Sequence, residues 1–170
     1  QGPTATVTNF DRTCASVFET AACWLASGDV DYVLAGCGDE YHPVAGYAAA
    51  ALRGECRYEP GESFVAFLLQ KETAAEGYAN LSFQNTPEQI SARRTIFMAG
   101  GAISKQSESG SRNSKGTVCQ WAPFLGSFPT APALAVALAA AAIRRGEFLQ
   151  PQTQEKNIPD EGIDCLATGE

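Results

Sequence analysis

Apolar residues along the chain recur in two rhythms, and the switches between them mark out the elements. Cys14, Val17, Phe18, Ala21 and Leu25 fall at helical spacing, and Gly28 is a fitting stop, so a helix is expected up to Gly28. Before it, Thr4 to Thr8 is β-branched and reads as a short strand. After it, Asp31 to Gly36 is an apolar run bounded by acid and glycine, the pattern of a buried parallel strand. Together they suggest a strand–turn–helix–strand unit with a right-handed crossover. Further strands are expected at Ser63 to Gln70, Tyr78 to Gln84, Thr95 to Met98 and near Thr117 to Trp121, with a short helix at Tyr47 to Arg53. From about Thr130 to Arg145 the chain is alanine-rich and apolar all round, which implies a buried helix rather than an amphipathic surface one. Lys105 to Gly116 is polar and serine-rich, a mobile loop, and the tail after Gln150 is polar, with a short strand expected at Ile163 to Leu166. The fold class is α/β, and residues 1–170 make one domain.

Composition narrows the function. A formal net charge of −7, with Lys and Arg scattered, lacks the basic footprint of a nucleic-acid-binding protein. The longest apolar stretch, Ala131 to Ile143, is shorter than the roughly 20 residues a bilayer span requires. Neither a basic n-region nor an apolar h-region of a signal peptide is visible, which points to the cytoplasm. The chain opens on Gln1 rather than Met, as a processed product or a fragment would. Six cysteines invite a disulfide framework. Several, however, sit in regular apolar segments, and free cysteine packs as a small buried hydrophobe, so reduced, buried thiols are expected.

The remaining chemistry is sparse. There is no C-x-x-C, and His42 is the only histidine, so no zinc site is expected. Asp29, Asp31, Asp39 and Glu40 flank a strand as solvated loop acids, and His42 reads as a loop residue. Ser16 and Ser27 lie outside any G-x-S-x-G, and the glycines form neither a P-loop nor a dinucleotide fingerprint. No metal or cofactor is expected.

Four segments, in order, carry a family likeness. They are GPTATVTNFD (2–11) with the helix ending LASGD (25–29), DYVLAGCGDE (31–40), PGESFVAFLLQKE (60–72) and FLGSFPTAPALAVALAAAAIRRGEFLQP (124–151). They resemble the β-ketoacyl synthase branch of the thiolase-like superfamily, and the last is similar to its G-H-x-x-G-A-A-G helix and R-x-G-x-L-P-P exit. The resemblance implies a layered thiolase-like fold, incomplete at both ends because the family's first strands and glycine-rich last strands are missing. It also puts Asp11 at the position of the nucleophilic cysteine, Ser127 at a catalytic histidine (Gly126-Ser127 for glycine-histidine), and Ala122 at the preceding lysine. No H-G-T-G-T is present, and Cys14 lies nearly one helical turn beyond the nucleophile position.

Condensation needs a thiolate to carry the acyl chain and histidines to assist decarboxylation and stabilise the enolate. A carboxylate at Asp11 cannot hold an acyl thioester, and the plainest role for an acid there is to accept N–H bonds at a helix start. The resemblance therefore implies a non-catalytic subunit of the chain-length-factor type, similar to ketosynthase-like subunits of aryl-polyene clusters. Its partners would be an active ketosynthase and an acyl carrier protein. In that family the strand entering the nucleophile turn lies at the dimer interface, which assigns pairing to Thr4, Thr6, Thr8 and Asn9. The alternative from another class is a small secreted binding protein held by three disulfides. A third reading, a synthase rebuilt around Cys14, would require that thiol to take an acyl group.

Overall fold

A computed structural model describes residues 2–8, 12–44, 47, 60–71, 77–81, 95–99, 117–120, 122–126, 128, 130–147 and 164–168. Its elements are α1 (Thr13–Ser27), β1 (Tyr32–Asp39), β2 (Ser63–Gln70), β3 (Thr95–Ala99), β4 (Thr117–Gln120), a single turn α2 (Ala122–Leu125), α3 (Ala131–Arg145) and β5 (Asp164–Thr168). The protein thus mixes helices with two small sheets. β1 and β2 form an antiparallel pair, and β4-β3-β5 form a parallel sheet with β3 in the middle.

α1 follows its apolar spacing: Cys14, Phe18, Ala21 and Leu25 are its buried residues. Gly28 ends it at φ 78°, a left-handed conformation that costs glycine no Cβ clash, and its N–H returns to the Leu25 carbonyl at 3.3 Å. The Ser27 hydroxyl donates to the Trp24 carbonyl at 2.9 Å and lies 2.8 Å from an Asp29 carboxylate oxygen, so the polar exit is tied locally.

α3 is built from the residue with the best helix propensity, and a proline in its first turn loses no needed N–H bond. From Ala131 to Ala142 no residue is exposed, as an all-round apolar helix requires. The helix packs against β2 of one sheet and against β3 and β5 of the other, so it lies between them. It closes at Gly146 (φ 69°), where the Glu147 N–H reaches the Ala142 carbonyl at 3.3 Å, a Schellman ending. Arg144 and Arg145 occupy the last turn, where cations suit the helix dipole.

The core gathers where α1 and α3 cover one face of the β1–β2 pair. Cys14, Phe18, Cys37 and Ala133 form one cluster, with Val17, Phe67, Leu69 and Val136 packed around it. Phe18 meets the Phe67 ring edge-on, with centroids 5.0 Å apart. A second cluster joins Ala21, Leu25 and Val33, backed by Trp24, Val30 and Leu69.

Several sequence expectations are corrected here. β1 runs antiparallel to β2, and its residues alternate strictly between exposed and buried, so it is not a parallel strand covered on both faces. Thr4 to Thr8 carry no strand pairing, and the strand–helix–strand crossover expected from them is absent among the described residues. β-branched propensity describes a fit to a neighbouring strand, and no neighbour is present there among the described residues. Tyr78 to Leu81 likewise form no strand. The short strand expected in the tail is present, by contrast, as β5, which pairs with β3. The loop at 105–116 and most of the helix expected at Tyr47 to Arg53 lie outside the described residues.

Candidate functional site

Residues of α1, β1 and α3 gather in one buried cluster. Cys14 in the first turn of α1 and Ala133 in the first turn of α3 belong to the same buried cluster. β1 delivers its last residues to the same place, since Cys37 joins that cluster and Asp39 reaches α3.

Asp39 is the most consequential polar residue of the site. Its inward direction follows from period-2 alternation, two residues beyond buried Cys37. The Thr130 backbone N–H donates to its Oδ2 at 2.6 Å, so a carboxylate from β1 supplies the cap that the Thr130 side chain does not. The Ala131 N–H donates to the Phe128 carbonyl (3.1 Å) and the Ala133 N–H to the Thr130 carbonyl (2.9 Å), while Pro132 has no N–H. The start of α3 therefore already holds its anion, and it offers no empty oxyanion or phosphate cradle. Two hydroxyl oxygens nearby in the fold, those of Thr130 and of Ser63 (the β2 residue opposite Asp39), are buried without a hydrogen-bond partner among the described residues.

Cys14 and Cys37 are both free thiols, 6% and 4% exposed. Both lie in the same buried cluster, close enough for a thiol–thiol bond to perturb both groups. That bond, with burial and the charge of Cys37 adding to it, pushes the Cys14 thiol well above the usual range. The same bond lowers Cys37 below its ordinary value, against opposing contributions from burial and the Asp39 charge. Cys23, expected to be buried, is exposed instead, because it lies about half a turn round α1 from Cys14.

Close packing frames the site from the β2 side. Gly61 lies directly beneath the Leu125 carbonyl and the Phe128 ring, and a Cβ there would collide with that carbonyl. Gly126, of the Gly126-Ser127 pair, takes a left-handed φ of 82°.

The site residues named from sequence divide as follows. Thr4, Thr6 and Thr8 are described and exposed. Asn9, Asp11 and Ser127 lie outside the described residues. His42 is exposed, and its Nδ1 accepts the Val44 N–H at 3.2 Å, a local loop contact far in sequence from the helix starts. Among the described residues, no three His, Cys, Asp or Glu side chains gather into a metal-binding group, and no helix is long and apolar enough to cross a membrane. The Cys14–Cys37 pairing and the Asp39 cap were not picked out from sequence. The one available signal was that Cys37 and Asp39 share a strand face; nothing local connects either to residues on α1 or α3. No family model, curated protein or solved structure matches the chain.

Proposed function

We propose that this chain is a non-catalytic, ketosynthase-like subunit of the chain-length-factor type, with a thiolase-like layered fold. It pairs with an active β-ketoacyl synthase in fatty acid, polyketide or polyene biosynthesis, on substrates presented by acyl carrier protein. The observation that carries the proposal is that the first turns of α1 and α3 contribute Cys14 and Ala133 to one buried cluster. These are the helices that directly follow the two positions assigned by resemblance to nucleophile and histidine, and the sequence has Asp11 and Ser127 there. The position of α3 between two sheets suits a layered architecture of this kind. Acid and hydroxyl in place of thiol and imidazole remove acyl capture and enolate stabilisation, leaving partner stabilisation and product shaping as the function.

Native mass spectrometry of the untagged protein purified from its own source tests this. A complex with a second chain that carries an intact cysteine–histidine site is the expected result, and a lone monomer would sink the proposal. Asp11→Cys should take up no acyl group from an acyl-thioester donor, because the histidine position stays vacant; stoichiometric acylation would show that the site is not dismantled.

One observation favours the rival, a secreted disulfide-bonded binding protein: two of its cysteines, Cys14 and Cys37, already touch. That reading requires all six cysteines to be bridged. Thiol counting on denatured, unreduced protein separates the two.

A further inference from the structure

We propose that Cys14 and Cys37 are a redox-active dithiol that closes to an intramolecular disulfide, stapling the first turn of α1 to β1. Among the described residues no third cysteine belongs to their cluster, and both share it with the apolar side chains of Phe18 and Ala133. Both side chains lie in one four-residue buried cluster where α1 packs on β1, so closure needs sulfur–sulfur approach rather than a search. The other cysteine of α1, Cys23, is exposed on the far side of the helix and cannot compete for Cys37.

The chemistry is ordinary thiol–disulfide exchange with a small-molecule disulfide, such as glutathione disulfide, as oxidant. The Cys37 thiolate attacks one sulfur of the oxidant, forming a mixed disulfide and expelling one thiolate. Cys14 then gives up its proton to that thiolate or to water, and its sulfur attacks Cys37. The S–S bond between the two cysteines forms as the second small thiol leaves. Two protein thiols are oxidised, and one external disulfide is reduced to two thiols. The lowered pKa of Cys37 suits it to the attacking role, and its two-residue distance from Asp39 means the staple would fix α1 beside the strand that caps α3. Because both sulfurs are buried, exchange occurs while the α1–β1 contact is open, during folding or on local opening.

The proposal stands whether or not the chain pairs with a synthase. It also differs from a full disulfide framework, because the other four of the six cysteines remain thiols. The test uses the full chain, refolded from denaturant in a glutathione disulfide/glutathione buffer, then alkylated in denaturant and digested without reduction. The expected result is a peptide joining Cys14 to Cys37, an intact mass about 2 Da lower than that of the reduced chain, and alkylated Cys23. Oxidation should raise Tm by about 5–10 °C, since the bond closes a loop of roughly two dozen residues in the unfolded chain. Cys37→Ser should abolish both the linked peptide and the Tm rise. Should that variant fail to fold, the wild-type peptide map still decides. Alkyl groups on both Cys14 and Cys37 after oxidising refolding, or linkage of either one to a different cysteine, would overturn the proposal.

Discussion

The two faces of the β1–β2 pair are nearly equal in hydrophobicity and opposite in fate. Inward, Val33, Ala35 and Cys37 are buried and Phe67 and Leu69 pack on the same core clusters. Outward, Leu34 is 76% exposed and Phe64 is 77% exposed, with Tyr32 and Leu68 also in the open. The register places Leu34 opposite Leu68, and the Phe64 ring lies across Gly36 and Gly38, where a Cβ would come within 3.3 Å and 2.7 Å of it. A strand with apolar residues on both faces has the sequence of an inner strand. Here α1 and α3 cover one face only. The contrast shows that the hydrophobic pattern of a strand records how many faces suit burial, while what covers each face depends on other elements.

That contrast can be broken or sharpened by substitution. The largest effect belongs on the covered side: Phe18→Ala removes a ring that is 3% exposed and stacked edge-on with Phe67, and should cost about 3–5 kcal/mol in a denaturant titration. A cost below about 1 kcal/mol would mean that the inner face is loosely packed. Asp39→Ala comes next. It strips the cap from α3 while leaving the Thr130 N–H buried, for a loss of about 1–2 kcal/mol, with hydrogen exchange fastest in the first turn of the helix.

Thr6→Pro should leave the stability of the isolated chain within about 0.5 kcal/mol, because Thr6 is exposed and makes no strand pairing. Under the proposed pairing with a ketosynthase it should weaken association, as proline removes a ladder donor. Unchanged pairing would count against an interface at Thr4 to Asn9. The smallest stability effect is expected for Leu34→Ser on the open face, also within about 0.5 kcal/mol, together with weaker binding of an apolar fluorescent dye. A loss of about 2 kcal/mol or more would show that this face is covered in solution.

The sequence was most legible where burial is local and periodic. α1, with Cys14, Phe18, Ala21 and Leu25 inward and Gly28 at its end, follows directly from 3.6-residue spacing, and the extent of α3 follows from alanine and its flanking glycine. β2, β3 and β4 were also visible as apolar runs. The direction of β1 was not legible, since parallel and antiparallel pairing use similar residues and the choice depends on where β2 arrives. Thr4 to Thr8 misled because propensity was read without a partner strand. For the site, the sequence shows the residue types, but the clustering of Cys14 with Cys37 and the bond of Asp39 with Thr130 depend on how α1, β1 and α3 pack.

The Asp39–Thr130 bond also bears on the order of folding. It joins residues 91 positions apart, so nearly all the intervening chain must be gathered before it can form. Contacts of such separation slow folding, whereas the pairing of α1 with the adjacent β1 closes a short stretch. Helix α1 and strand β1 should therefore associate early, with α3 docking onto them late. An interaction made after the transition state governs mainly how fast the native protein falls apart. In kinetic terms, then, the Asp39 carboxylate is a latch on unfolding: its loss should shorten the lifetime of the native state while leaving the refolding rate nearly untouched.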